Sequence, residues 1–252
     1  MNTTESNIHS RIINTYHLTK LLIIEHLRDP TTLLWTALAP CLMFTLSTQV
    51  KLSPSPAYDD YISAAAWFYS YISASVAFFG FSFYLIGRRE SGFNRSFLYQ
   101  PNAISLFIIS HMLCYSLISL GYSVFFYIIT KPLYGSYSPA ELSRLLICFY
   151  ASYLGFTVIG LIISALPIRF STASTIFSLL SFLMLLSGYF GGVHEGTTPS
   201  WITLLNPLAI SRQVILGHSS LLASFSLVLL LLLPALYLTA RYFRVQPVWS
   251  RY

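Results

Sequence analysis

Six long apolar runs limit what this sequence can fold into more than any other feature. They lie roughly at residues 31–50, 61–86, 104–129, 142–166, 173–190 and 221–240. Each run approaches or exceeds the ~20 residues that an α-helix needs to cross a bilayer. Lipid offers no partner for open backbone groups, and the runs lack the alternation of barrel strands, so helices are expected. We therefore predict an all-α membrane protein with six transmembrane helices, folded as a single transmembrane domain over residues 1–252.

The scarcity of charge supports lipid as the main solvent. Only 9% of the 252 residues are charged, against about 25% in soluble domains. The net charge of +6 is spread between the apolar runs, with no basic cluster interleaved with aromatic residues. We therefore expect membrane lipid as the surrounding partner and no nucleic acid.

Lysine and arginine divide unevenly between the two sides of such a bundle. An even number of spans places both termini on one side. Ten basic residues belong to that side, namely Arg11, Lys20, Arg28, Arg88, Arg89, Arg95, Arg169, Arg241, Arg244 and Arg251. Four belong to the other, namely Lys51, Lys131, Arg144 and Arg212. Because basic residues concentrate in cytoplasmic loops, we predict cytoplasmic termini and an integral protein of a bacterial inner membrane.

Residues 1–29 predict an amphipathic helix on the membrane surface. At 100° per residue, one face collects Ile8, Ile12, Tyr16, Ile23 and Leu27. The helix should end before Pro30, because the residue that precedes a proline is biased away from the α region. An ordinary mobile cytoplasmic tail is the alternative.

The segment 191–217 is too broken to span and too apolar to be a free loop. It contains Pro199, Asn206, Pro207 and Arg212 among apolar side chains, after a run rich in glycine. We predict an outer re-entrant segment of two short helices, broken near Asn206–Pro207, that dips back against the outer leaflet. Non-helical backbone at that depth must be shielded by protein or face a water-filled cavity.

Catalytic patterns are missing from the sequence. It contains no GxxxxGK[ST], HExxH, CxxC or GxSxG. His111 is the one histidine within a span, while Glu141 and Arg144 lie three residues apart at the mouth of the fourth span, where they can pair with each other. We expect structural roles for all three. The sequence thus predicts no enzyme, no catalytic residue, no metal site and no cofactor bound by this chain.

Two helix faces are candidates for the lining of a cargo pathway. In the second span, one face carries Phe68, Tyr71, Ser75, Phe79 and Ser82, which would suit an amphipathic or sugar-bearing cargo, although most rings of this span are expected to face lipid or core. In the fifth span, hydroxyl side chains recur at mostly three- and four-residue steps, at Ser171, Ser174, Thr175, Ser178 and Ser181. Close helix packing is the alternative for this second stripe, and a subunit interface would serve both roles.

The stretch "GRRESGFNRSFLYQP" at 87–101 concentrates charge between the second and third spans. Glu90 near its start would interact favourably with the positive end of a helix dipole. Arg88, Arg89 and Arg95 can pair with acidic groups of a partner. Aromatic side chains beside arginine, here Phe93 and Phe97, are typical of interface hot spots. The alternative is that these are only cytoplasmic charges with interfacial aromatics.

These parts, in this order, resemble the membrane subunit of an ABC-2 type exporter. The resemblance covers nearly the whole chain. It rests on "LRDPTTLLW" before the first span, "RRESGFNRSFLYQP" between the second and third, "LSGYFGG" ending the fifth, and "PSWITLLNPLAISRQ" in the outer segment.

The resemblance implies a complex of two permease chains, either two copies of this chain or one with a related permease, and two copies of a separate ABC ATPase that holds ATP and Mg. Residues 1–29 would be the connecting helix and 87–101 the coupling helix. The docking residues would be Arg88, Arg89, Glu90, Phe93, Arg95 and Phe97.

The resemblance also implies an export activity. Short outer loops at 51–60 and 131–140 exclude members with large extracellular domains. The entry "RDPTTLLWTALAP" looks more like exporters of an amphipathic drug, peptide or lipid than like exporters of lipid-linked polysaccharide, which stay as the alternative. From other classes, an ATP-independent channel or carrier and a membrane-embedded enzyme are the rival interpretations.

Overall fold

The computed structural model describes residues 2–49, 60–91, 103–193, 206–218 and 220–242, and within these ranges all regular secondary structure is helical. The α-helices in chain order are α1 (Asn2–Leu27), α2 (Pro30–Leu33), α3 (Ala39–Gln49), α4 (Tyr61–Ser75), α5 (Phe83–Glu90), α6 (Ala103–Thr130), α7 (Pro139–Ala165), α8 (Phe170–Val193), α9 (Pro207–Leu216) and α10 (Leu221–Tyr242). The π-helical segments Leu34–Leu38 and Val76–Ser82 join α2 to α3 and α4 to α5. The all-α prediction is confirmed for this part of the chain.

Within the described part of the chain, three helices are long and apolar enough to cross a membrane. They are Tyr61–Glu90, Ser105–Leu133 and Pro139–Ala165, which coincide with the second, third and fourth predicted spans. Shorter apolar helices at Leu34–Thr48, Phe170–Met184 and Phe225–Thr239 fall on the first, fifth and sixth. The count of six spans therefore stays a prediction.

The long helix Tyr61–Glu90 runs antiparallel to α6. At one end the hydroxyls of Tyr61 and Thr130 share a 2.8 Å hydrogen bond. Toward the other end, His111 Nε2 of α6 donates to the Phe81 carbonyl at 2.9 Å. His111 is fully buried and packs among the rings of Phe81, Tyr84, Phe107 and Tyr115. These contacts fix the register of the two helices.

The core lies where the π-helical segment Val76–Ser82 meets α7. Phe78 packs against Phe156 of α7 and Phe177 of α8, with ring centroids 5.6 Å apart in both pairs. The Ser82 hydroxyl donates to the Ala77 carbonyl at 2.8 Å. This side-chain bond spans the same five residues as the backbone bonds of a π-helical turn, and it reinforces that turn.

Helix α1 packs lengthwise on α6. The Thr19 hydroxyl donates to the Ser110 carbonyl at 3.3 Å, and the Ser110 hydroxyl donates to the Thr15 carbonyl at 3.4 Å. Three turns further along, His26 and the Tyr122 hydroxyl share a 2.7 Å hydrogen bond. Because the residue numbers of both helices increase in the same direction from one contact to the next, α1 runs parallel to α6 over this length.

The face of α1 that packs on α6 differs from its predicted apolar face. Leu22 is buried beside the polar contacts of Thr19 and His26, whereas Ile12, Tyr16 and Leu27 of the predicted face are largely exposed. The two faces lie about a quarter turn apart at 100° per residue. The exposed apolar face leaves the membrane-surface placement of α1 a prediction.

The predicted pairing of Glu141 with Arg144 is wrong. Glu141 instead binds Lys131 at 2.8 Å, and Arg144 donates to the Leu216 carbonyl at the end of α9, at 3.2 Å. Helical spacing brings Glu141 and Arg144 near each other, but each has a partner in a neighbouring element. Glu141 binds Lys131, just past the end of α6, and Arg144 binds the end of α9.

Candidate functional site at the end of the second span

A closed network of polar side chains joins the last turns of α5 to the end of α1. The Arg88 guanidinium pairs with the Glu25 carboxylate, and its Nε donates to the Tyr84 hydroxyl at 2.8 Å. The Tyr84 hydroxyl donates in turn to Glu25 at 2.6 Å. Positions 84 and 88 are four apart, so one helix face presents both side chains, and the guanidinium lies 4.8 Å from the Tyr84 ring centroid.

Arg89, the next residue, points to the opposite side and is almost fully buried, with 1% of its surface exposed. Its guanidinium donates to the carbonyls of Ser164, Leu166 and Ile168 at 2.9, 3.0 and 2.6 Å, and its Nε lies 3.2 Å from a Glu90 carboxylate oxygen. Helix α7 ends at Ala165, where the last carbonyls have no partner in the helix. Arg89 supplies a partner for one of them, Ser164, and for two carbonyls of the turn that follows, and its positive charge complements the helix dipole.

These two arginines make the end of α5 a junction of four elements. Arg88 fastens it to α1, and Arg89 fastens it to the turn between α7 and α8. At Gly87 a Cβ atom would lie 3.2 Å from the Phe170 ring, so α8 also packs closely here. A displacement of the α5 terminus therefore has to move or break contacts with α1 and with the α7–α8 turn. We call these contacts of Glu25, Tyr84, Arg88 and Arg89 the polar junction.

The last turn of α5 contains half of the predicted docking residues. Arg88, Arg89 and Glu90 form the last turn of α5 rather than the first turn of a separate helix. Arg89 and Glu90 are buried against this chain, while Arg88 is partly exposed. Residues 92–102 lie outside the described part, and with them Phe93, Arg95 and Phe97. The role of 87–101 in docking an ATPase stays a prediction.

The predicted pathway face of the second span does not form one continuous surface. Phe68 packs in an aromatic cluster, with ring centroids 5.3 Å from Phe44 and 6.1 Å from Phe126. Ser75 is buried and Tyr71 is half-buried, whereas Phe79 is 37% exposed. Of this face, Phe79 has the most open side chain.

The hydroxyl stripe of the fifth span lies mostly on the outside of the chain. Ser178 is exposed, and Ser174 and Ser181 are half-buried. The exposed ring of Phe79 lies beside it, with its centroid 6.4 Å from that of Phe177. The structure thus brings Phe79 against α8, the helix that carries the stripe, while a lining role for either stays a prediction.

Helix α9 is anchored in the bundle by its first residues. Asn206 is buried, its side-chain oxygen accepts from the Leu208 amide at 3.0 Å, and its amide donates to the Met184 carbonyl of α8 at 3.0 Å. Pro207 occupies the first helical turn, where its missing N–H costs nothing. The Ser211 hydroxyl donates to Ser70 of α4 at 2.9 Å. The break predicted at Asn206–Pro207 is therefore the start of α9.

Arg212 and Pro199 are the other two predicted residues of the outer segment. Arg212 is half-buried on α9, and Pro199 lies outside the described residues. The interaction of Ser211 with Ser70 carried no signal in the sequence, because serines are common in every span. The partner of Arg88 was also missed, because Glu25 lies 63 residues before it and no local pattern links the two positions.

The long apolar helices define an integral membrane protein of the all-helical class. The sequence profile of the ABC-2 type transporter family matches residues 14–217, and the chain belongs to that family. It is also 30% identical over 239 residues to Protein McbE of Escherichia coli, an alignment that covers 91% of this chain and 96% of that protein. The chain is accordingly the membrane component of a transporter, and its family domain is not itself an ATPase domain. Members of the family typically work with an ABC ATPase.

Proposed function

We propose that this chain is the membrane-spanning subunit of an ATP-driven exporter, whose ATP and Mg bind to a separate ABC ATPase. Two copies of the ATPase would act on two permease chains in a bacterial inner membrane, with the termini in the cytoplasm. The cargo would be an amphipathic drug, peptide or lipid, moved out of the cytoplasm or the inner leaflet. The observation that carries this proposal is the polar junction. It connects the end of the second span to α1 and to the α7–α8 turn, so a conformational change at this end would be transmitted to both.

The coupling would begin where the ATPase docks, at residues 87–101. A push on this segment acts first on the last turn of α5. Arg88 passes the displacement to α1 through Glu25, and Arg89 passes it to the α7–α8 turn. Helix α8 carries the exposed hydroxyl stripe beside Phe79, so its movement would open a pathway along that face.

A charge exchange tests the coupling role of the junction. In the reconstituted complex with its ATPase, Arg88→Glu places a carboxylate beside Glu25, and we expect it to reduce cargo-stimulated ATP hydrolysis and transport by about tenfold. The double variant Glu25→Arg with Arg88→Glu restores opposite charges and should recover part of the loss. Lys20→Glu, an exposed change of the same sign on α1, serves as the control and should stay near wild type.

The outcomes separate coupling from folding. Membrane insertion should survive Arg88→Glu, because the change affects contacts at the end of α5 and not the apolar length of the span. Full transport by the single variant would contradict the coupling role, and a chain that is stable with no ATPase bound to it would contradict the exporter itself.

A further inference from the structure

A cleft with a cavity volume of about 510 Å³ opens beside the polar junction. It lies between the end of α1, the start of the first span, the π-helical segment, α5, α6 and α8. Its polar end is formed by Glu25, Asp29 and Arg88. Its apolar walls are formed by aromatic side chains, chiefly Phe79, Phe83, Tyr84 and Phe170.

The described residues that line this cleft carry more negative than positive charge. Two carboxylates, of Glu25 and Asp29, face a single guanidinium, and that of Arg88 already pairs with Glu25. His26 also lines the cleft, and burial lowers its pKa, so it adds no positive charge at neutral pH. The Asp29 carboxylate also accepts from the Thr32 hydroxyl, which leaves its formal charge in place. The formal charges of these described lining residues sum to one negative charge, which favours a cation over an anion.

The aromatic walls suit the remainder of an amphipathic molecule. Phe83 and Phe170 pack with ring centroids 4.3 Å apart, and Phe170 is 43% exposed. Phe79, 37% exposed, lines the same cleft. Such faces bury apolar groups, and their π-systems also attract cations. Small-molecule sites typically have volumes of about 300 to 1,000 Å³ with a few polar groups among apolar walls, and this cleft falls within that range.

We propose that the cleft binds a cationic amphiphile, with its ammonium or guanidinium group near Asp29 and Glu25 and its apolar part against Phe79, Phe83 and Phe170. The proposal narrows the cargo of the exporter to molecules that carry a positive charge, and to that extent it rests on the proposed function. The binding step itself depends only on this chain.

Binding of tritiated tetraphenylphosphonium tests the site. The probe is titrated onto the purified chain in phosphatidylcholine nanodiscs, and the signal of empty nanodiscs is subtracted. Asp29→Asn preserves the shape of the side chain and should weaken binding by about three- to tenfold. Phe79→Ala should weaken it comparably, because the probe loses an aromatic wall.

Matched controls come from the same chain. Asp60→Asn removes an exposed carboxylate at the far end of the second span, and Phe182→Ala removes an exposed ring of α8. Both should bind the probe like wild type. Competition between the probe and two amphiphiles of equal chain length but opposite charge tests whether the site selects for positive charge. Dodecyltrimethylammonium should displace the probe, and dodecanoate should not.

The results distinguish this site from the proposed function. Equal displacement by dodecanoate, or wild-type affinity in both Asp29→Asn and Phe79→Ala, would overturn the cleft assignment even if ATP-driven transport is intact. Charge-selective binding that both variants weaken supports the assignment, and it does so even if no ATPase co-purifies, in which case the exporter proposal alone fails.

Discussion

Arg89 is the residue whose shape matters most at the junction. Its guanidinium reaches three carbonyls that diverge around the end of α7, and the planar fork of arginine supplies donors in those directions. Arg89→Lys keeps the charge but offers a single point of donation on a flexible stem, so buried carbonyls lose their partners. We expect the free energy of unfolding to fall by about 1–3 kcal/mol. Thermal unfolding of the purified chain measures this, with Arg169→Lys in the exposed part of the same turn as the control. Equal melting temperatures for the two variants would contradict the capping role.

His26 makes the docking of α1 sensitive to acid. Burial lowers the pKa of His26, with Asp29 partly opposing the shift. The groups that face or surround it are Tyr115 and Tyr122 of α6, Glu25 and Asp29 at the end of α1, and Arg88 of α5. A depressed pKa means that the folded state favours the neutral ring. The stabilisation is therefore complete above the ordinary histidine pKa of about 6.5 and is lost as the pH falls through the folded value.

Hydrogen exchange of α1 amides at pH 7.5 and pH 5 checks this prediction. Protection should decrease at the lower pH in the wild-type chain and change less in His26→Gln, which cannot titrate. The prediction is refuted if both chains lose protection equally.

At the scale of elements, the packing of α7 on the π-helical segment depends on Gly160. A Cβ atom there would lie 1.9 Å from Ser82 Oγ and 2.9 Å from Ser82 Cβ. Gly160→Ala must therefore push the helices apart or disturb the hydroxyl that donates to the Ala77 carbonyl, at a cost of about 1–3 kcal/mol. Gly121→Ala is the control, because nothing lies within 4 Å of its Cβ position. Helix propensity alone favours alanine over glycine, so the control should be no less stable than wild type. A loss of thermal stability in the control as large as in Gly160→Ala would contradict the packing explanation.

The helices themselves could be predicted from the sequence because apolar length and lipid leave few alternatives. Their interruptions could not. Nothing in "VAFFGFS" distinguishes a π-helical segment from an ordinary α-helix, since its extra residue per turn is stabilised by Ser82 within the segment and His111 of α6. The packing face of α1 was missed for a similar reason, because its central contacts are made by threonines and a histidine rather than by its most apolar residues.

The candidate site shows the same division between what is local and what is distant. Clustered charge marked Arg88 to Glu90 as unusual for a chain so poor in charge. Their partners lie 63 residues before Arg88 and 75 to 79 residues after Arg89, and they come together only through the register of packed helices. The predicted pairing of Glu141 with Arg144 was wrong for the opposite reason. It rested on local helical spacing, whereas the partners of both side chains come from neighbouring elements.

At the scale of the whole molecule, the exposed hydroxyl stripe of α8 calls for a partner. Ser171, Thr175 and Ser178 are exposed, and the Thr175 hydroxyl donates to the Ser171 carbonyl within α8 at 3.1 Å. Small polar residues on an exposed helix face are typical of helix interfaces within membranes. In a dimer with a two-fold axis, the same surface of both copies meets, so the hydroxyl stripe of one α8 would pack against the stripe of the other. We therefore expect Ser178→Cys chains to form a disulfide-linked dimer in native membranes after mild oxidation.

The control for this dimer is a cysteine on a face where no second copy is expected. Leu230→Cys on α10 is 70% exposed as leucine, and it should cross-link far less than Ser178→Cys. The native thiols of Cys41, Cys114 and Cys148 are buried, so the wild-type chain should give little background on a non-reducing gel. If the two engineered positions cross-link equally, collision in the membrane explains the product and the α8 interface is wrong. If Ser178→Cys alone cross-links and reduction restores the monomer, the hydroxyl stripe lies between two copies, where a transport pathway shared by both chains would run.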